Sequence, residues 1–440
     1  MNARNGTWRV AGRNLARGGG RWAAVAVGAA VLAVFAAACG GGGSGEAGST
    51  LNIGVIYPFT GANADQGTTG MAGCLAGIGP VNEAGGVLGH KFACKPHDTK
   101  GDPADAVPAA DQMMASDEPV MVIGASDDAV ATAPIVTGNE VPNFATIGDP
   151  HFDHQTNPYF YRLTPSDALQ GTALGYYAAE NGLNEAASVF TSDLGAQTSV
   201  PPLKEEYEKL GDKFAIELTL APGQSSYRTE VGKVIAAKPD TIISEGDPQS
   251  STTFLSEYQE QAGEIPLMLG TQRIANEDWI QAVLGGIGKA AFTKSIKAIT
   301  PYVNTKGPGY ELYKESLLAL GSKVKDPEEF LAQPYSISDY DAVNISALAM
   351  LEANTTEPSK YNEFITKVTA PSSGAKVVHT YAEGKKAIEA GTTIQYVGAS
   401  GPLIFDKYHS AKRTFAYDEF DPTTEEFVVK KLIPGSAFVE

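Results

Sequence analysis

Past residue 50 the chain alternates short apolar runs with stretches whose apolar positions recur at helical spacing. Runs at residues 51–57, 90–96, 119–124 and 142–147 read as strands, because each is short, rich in β-branched or aromatic residues and bounded by turn residues. Between the first two lies GMAGCLAGIGPV, and between the second and third GDPADAVPAADQMMAS, both with helical periodicity. In the latter, Asp102 suits an N-cap and Pro103 the first helical turn. A second series starts after NPYFYRLTPSD, with strands predicted at 186–191, 214–220, 241–246 and 265–270, and ends near Pro301. Long helices are predicted at 309–321 and 340–353. Strand–helix–strand order implies parallel sheets covered by helices, and two such series imply a bilobal protein. In open α/β sheets, ligands lie outside the carboxyl ends of the strands.

The turn after the first run, YPFTGANADQG, stands where such a site would be. Strand-to-helix turns with glycine often hold phosphate, yet this one has neither GxGxxG nor GxxxxGK[ST]. A nucleotide site is therefore not expected. Nor does the chain carry GxSxG or HExxH, and it has only six histidines. His151, Asp153 and His154 in DPHFDHQ have residue types that can bind a metal, but a polar loop between strands is the favoured reading. Catalysis, a cofactor and a metal are accordingly not expected.

The N-terminus changes the setting. Arg4, Arg9, Arg13, Arg17 and Arg21 precede an apolar run from Trp22 to Ala38 that ends at Cys39, the pattern of a signal peptide over residues 1–38. The run is alanine-rich and short for a bilayer span of about 20 apolar residues. Ala36, Ala37 and Ala38 before Cys39 resemble the bacterial lipobox, which implies lipidation of Cys39 and an extracytoplasmic, membrane-anchored protein. Residues 39–50, GGGGSGEAG among them, read as a flexible tether. Removing residues 1–38 takes away five arginines and no acids, so a net charge of −18 becomes −23. Nucleic-acid binding, which needs clustered cations, is excluded on that balance. Cys74 and Cys94 remain as an even pair in an oxidising compartment and read as a disulfide pinning the first helix to its sheet, with two buried thiols as the alternative.

The segments IGVIYPFTG, NEAGGVLGHKF, GDPADAV, VMVIGAS, API, EVP, NPYFYRLTPSDALQG, SDYDAV and GASGPLIFD, in that order, resemble the leucine/isoleucine/valine-binding type of periplasmic binding proteins over about residues 51–432. The resemblance implies an α/β fold of two Rossmann-like lobes with parallel central sheets and a three-crossing hinge near Thr164, Ile299 and Ser410. Lobe 1 would comprise 51–164 and 300–410, and lobe 2 165–299 and 411–440. It implies a monomeric receptor that hands a small polar solute to an ABC permease and its ATPase, with a surface sensor not coupled to transport as the alternative. It places the ligand against the first turn, which bears Thr60, held by amides and short side chains.

Departures from the family pattern bear on the ligand. Ser126 stands beside Asp127 and Asp128 where serines are usual, and Gly148 and Asp149 stand where Ala-Thr would grip an α-carboxylate. Gln66 replaces an expected aromatic, Asp193 and Leu194 occupy a tyrosine-bearing turn, Glu245 ends the following strand, and Gln272 stands where an acid often meets the ammonium group. Tyr302 is expected to form an apolar wall. With Asp127, Asp128, Asp149, Asp193 and Glu245 near the cleft, a cationic or neutral polar solute such as an amine, amide or polyol is expected rather than a simple branched-chain amino acid.

Overall fold

The computed structural model describes residues 48–437 apart from 62, 125–127 and 413. The signal peptide, Cys39, Ser126 and Asp127 lie outside the described residues. Among the described residues, no helix is long and apolar enough to cross a membrane.

The first part of the chain runs β1 (Leu51–Tyr57), α1 (Ala64–Glu83), β2 (Phe92–Asp98), α2 (Pro103–Asp117), β3 (Met121–Gly124), α3 (Ala129–Gly138), β4 (Asn143–Ala145) and β5 (Phe160–Arg162). These strands form one parallel sheet in the order β2-β1-β3-β4-β5. Residues 53–57 of β1 are buried on both faces, which explains its near-continuous apolar sequence. The side chain of Asp102 accepts from the Ala104 N–H and Pro103 opens α2, as expected from the sequence.

The second part contributes α4 (Asp167–Glu180), β6 (Glu185–Thr191), α5 (Leu194–Thr198), α6 (Val200–Lys209), β7 (Lys213–Leu220), α7 (Arg228–Ala237), β8 (Thr241–Glu245), α8 (Pro248–Ala262), β9 (Leu267–Gly270), α9 (Glu277–Ile287), α10 (Lys289–Ser295) and β10 (Ile296–Pro301). Then α11 (Pro308–Leu318), α12 (Pro334–Ala353), α13 (Pro358–Thr369), β11 (Lys376–Val378), α14 (Tyr381–Glu389), β12 (Ile394–Gly398), β13 (Gly401–Pro402), β14 (Ile404–Phe405) and β15 (Ala411–Lys412) follow. Finally β16 (Phe415–Asp421) and β17 (Glu426–Ile433) pair antiparallel with each other, and β16 pairs antiparallel with β10. The second sheet has the order β17-β16-β10-β9-β8-β6-β7.

Helices cover both sheets. Val343, Leu348 and Met350 of α12, Ile365 of α13 and Tyr381 of α14 share a core with Val55 and Ile123 of the first sheet. Met113 and Val136 pack on its other face with Ile56 and Val122. The second sheet is likewise sandwiched, with Val231, Phe254 and Trp279 on one side and Leu174, Leu203 and Tyr207 on the other. Cys74 of α1 and Cys94 of β2 form a disulfide, so the helix is tied covalently to the sheet it covers.

Three differences from the sequence reading have clear causes. The strand expected at 142–147 spans only Asn143–Ala145, because residues 146–149 turn out of the sheet towards α4. The helix expected at 340–353 begins at Pro334, where Gln333 caps it through the Tyr335 N–H. The second sheet is not purely parallel: the β16–β17 hairpin extends it, and β16 shows the alternating burial of a strand with one face covered.

The chain leaves the first sheet for the second after Arg162, returns after Pro301 to the helices that cover the first sheet and to two small sheets, β11-β12-β13 and β14-β15, and rejoins the second sheet after β15. These passages are tied together. Arg162 donates from its backbone to the His409 carbonyl and from Nε to Ser410 Oγ, while the Tyr302 N–H reaches the Thr414 carbonyl at 2.8 Å.

Candidate functional site

A cleft opens beside these passages, between elements of the two sheets. One compartment, enclosing about 640 Å³ including space open to solvent, is mostly apolar, with Leu163, Tyr302, Val303, Tyr335, Ile337 and Phe415 among its walls. A second, of about 990 Å³ again including space open to solvent, is more polar than the first, with Glu245, Thr271, Arg273, Asn276 and Gln333. Asp167, Gln170, Gln272, Pro334 and Tyr335 line both, so the compartments adjoin.

Each wall has a local origin. Ser166 caps α4 through the Ala168 N–H, which presents Asp167 and Gln170 on the first turn of that helix to the cleft. The Asp167 N–H donates to the Gly148 carbonyl at 2.8 Å, so the start of α4 rests on the loop after β4. A Cβ on Gly148 would stand 2.1 Å from Asp167 Oδ1, so any larger residue there would have to displace the Asp167 carboxyl. Gln170, 6% exposed, donates from Nε2 to the Ile299 carbonyl at 2.7 Å. Among the described residues its Oε1 is then an acceptor without a partner, and the hydroxyl of Thr164, which lines the same compartment, is also unpaired.

The charges of the polar compartment meet at one cation. Arg273 Nη1 lies 2.9 Å from Asp193 Oδ1 and 3.5 Å from Glu245 Oε1. Burial alone would raise the Asp193 carboxyl, but Thr191, the Ala196 N–H and Arg273 together hold it below the usual range. Glu245 is more deeply buried, and that desolvation raises its carboxyl despite Thr271 and Arg273. Among the lining residues described, Arg273 is the one cation.

Two buried acids of α12 shape the cleft from behind. Asp341 accepts from Tyr396 Oη at 2.8 Å, from the Ala399 and Ser400 N–H groups at 2.9 and 2.7 Å, and from Ser400 Oγ at 2.5 Å, which fixes the loop bearing the cleft residue Ser400. Asp339, fully buried, receives among the described residues only the Tyr57 hydroxyl at 3.2 Å, and that hydroxyl is also 2.8 Å from Thr146 Oγ1. Desolvation pushes the Asp339 carboxyl well above its usual range.

Of the residues singled out in the sequence, Gly148, Gln272 and Tyr302 line the apolar compartment, and Gln272 and Glu245 the polar one. Asp193 reaches the cleft only through Arg273, and its other oxygen takes the Thr191 hydroxyl. Asp149 lines neither compartment; it caps a short helical turn through the His151 N–H. Thr60 bonds to Asp98 Oδ2 in the turn after β1, Gln66 lies on the first turn of α1, and Asp128 is buried at the start of α3; none of these lines either compartment. Leu194 opens α5. In DPHFDHQ, Asp153 is held by Arg162 Nη2 at 2.7 Å and by the Ser166 hydroxyl at 2.9 Å. Among the described residues, no cluster of three or more His, Cys, Asp or Glu side chains could hold a metal.

Sequence reasoning missed Arg273, Asp167, Gln170, Tyr335 and Phe415. Arg273 was signalled by its place next to Gln272 in LGTQR, and Asp167 and Gln170 by PSDALQG.

The family profile described as periplasmic binding protein matches residues 50–402, well over half the chain. The Leu/Ile/Val-binding protein homolog 1 of Brucella abortus (strain 2308) is 25% identical over 325 residues, covering 72% of this chain and 82% of that protein. A putative branched-chain amino acid ABC transporter from Rhodospirillum rubrum superposes with a TM-score of 0.68 at 16% identity, over 87% of this chain and 100% of that one. A solute binding protein from R. palustris solved with benzoate gives 0.59 at 16% identity, over 88% and 97%. With its two helix-covered sheets and the cleft between them, the chain belongs to the periplasmic binding protein family and is a solute-binding protein rather than an enzyme.

Proposed function

We propose that this protein is a lipid-anchored, extracytoplasmic receptor that captures a small polar solute between two lobes and delivers it to an ABC permease driven by its ATPase. The observation that carries this reading is the cleft lined from both sides, with Ser338 and Ser400 contributed by one body and Gln170, Gln272 and Arg273 by the other. Lobe 1 consists of residues 51–164 and 300–410 and lobe 2 of 165–299 and 411–440; they close as rigid bodies about the three passages. The anchor is Cys39.

Thermal-shift screening against amino acids, amides, amines, polyols and sugars tests the reading, since a solute that binds only the folded protein raises its melting temperature by mass action. One of these classes is expected to stabilise. Failure of every class would contradict a small-solute receptor. Cys39→Ala should move the protein from membranes to the soluble fraction, and membrane attachment that survived the change would contradict the lipid anchor.

A further inference from the structure

We propose that the cleft is built for an amphipathic amine: a solute with a protonated amino head and an aliphatic or aromatic body, and without a carboxylate. This rests on the receptor reading above and names its substrate class. The apolar compartment supplies walls for the body in Leu163, Tyr302, Ile337 and Phe415. The adjoining polar compartment supplies acceptors for the head. Asp167 and Glu245 line it, and the single lining cation, Arg273, is already engaged by Glu245 and Asp193.

A second observation is independent of those acids. Gln170 is more than nine-tenths buried and borders both compartments, and because its Nε2 donates to the Ile299 carbonyl, the unpartnered atom is an acceptor and not a donor. An unpaired buried acceptor calls for a donor, and an ammonium group carries three. A solute carboxylate would bring only acceptors to Gln170 and would face Glu245, whose counter-charge Arg273 is already shared with Asp193. Lobe movement that admits the head to Gln170 Oε1 relieves the cost of leaving that atom unpaired.

Matched skeletons separate the possibilities in calorimetric titrations of the full chain in detergent. Isopentylamine and phenethylamine are compared with leucine and phenylalanine, which add a carboxylate to the same frameworks, and with isocaproate and hydrocinnamate, which carry the carboxylate alone. The amines are expected to bind at least about tenfold more tightly than the amino acids, and the acids not at all. Glu245→Gln and Gln170→Leu should each weaken amine binding by about tenfold, the scale of one lost charge-assisted contact. Unliganded melting curves show whether each variant is folded, and Glu245→Gln, nearly isosteric, is the safer of the two. Amino acids binding as tightly as the amines, binding of either acid, or silence of both amines would overturn the amine class. Leucine binding with silent amines would leave the receptor reading standing, whereas silence of all six together with failure of the wider screen would remove both.

Discussion

At the scale of the residue, the least expected feature is Asp339, a fully buried carboxyl with one oxygen unpaired. Burial favours its neutral form, so its folded pKa lies above the unfolded value of about 4. Between those values the native state holds the proton that the unfolded state has released. Stability from this group is therefore complete below about pH 4 and is lost as pH rises towards the folded pKa. In urea titrations at stepped pH, Asp339→Asn should remove a component of that decline with a slope of about 1.4 kcal/mol per pH unit, and should gain on the native chain as pH rises. Parallel curves for the two proteins would mean that Asp339 is charged in the fold. SDYDAV was legible as a stretch resembling the family, but not as a pair of acids with different burdens. Among the described residues, Asp341 is satisfied by four donors and Asp339 by one, a distinction made by groups 55 to 282 residues away in sequence.

Among the elements, α1 shows how sequence and packing divide the work. Its glycines read only as small residues in a helical repeat, yet they differ sharply in surroundings. A Cβ at Gly77 would lie 2.8 Å from Val343 Cβ of α12, whereas one at Gly79 meets nothing within 4 Å. Alanine gains about 1 kcal/mol over glycine in a helix interior, and overpacking costs about 1–3 kcal/mol. Gly79→Ala, whose gain is cut because it precedes Pro80, should change stability by less than about 1 kcal/mol, and Gly77→Ala should destabilise by more despite the better helix former, as denaturant midpoints will show. Equal effects at the two sites would contradict the close α1–α12 approach. The Cys74–Cys94 bridge was legible because export and an even count left few alternatives, and the loop it closes is 20 residues long. Its reduction should cost about 3 kcal/mol in the chain-entropy account. An unchanged guanidinium midpoint in reducing buffer would show that the bridge constrains nothing in the unfolded chain. The β16–β17 hairpin was not legible, since its pairing with β10 is decided by tertiary packing rather than by local pattern.

At the scale of the molecule, the order of apolar runs was enough to give two helix-covered sheets, because parallel strands buried on both faces leave a strong signal. The site was less legible. Candidates were drawn from turns at strand ends, and the loop at Gly148 and those leading to Gln272 and Tyr302 do reach the cleft. Asp167, Gln170 and Tyr335 sit instead at the starts of helices, where they read as capping or surface residues until the packing places them. Hydrogen exchange of the full chain, with and without a solute that raises its melting temperature, tests the central claim that one ligand is gripped from both sides. Slowed exchange is predicted together in residues 163–170 and 271–276 and in residues 333–338, whose backbones border the cleft from the two bodies. Protection confined to one body, or absent from all three segments while the protein is stabilised, would contradict capture between the lobes.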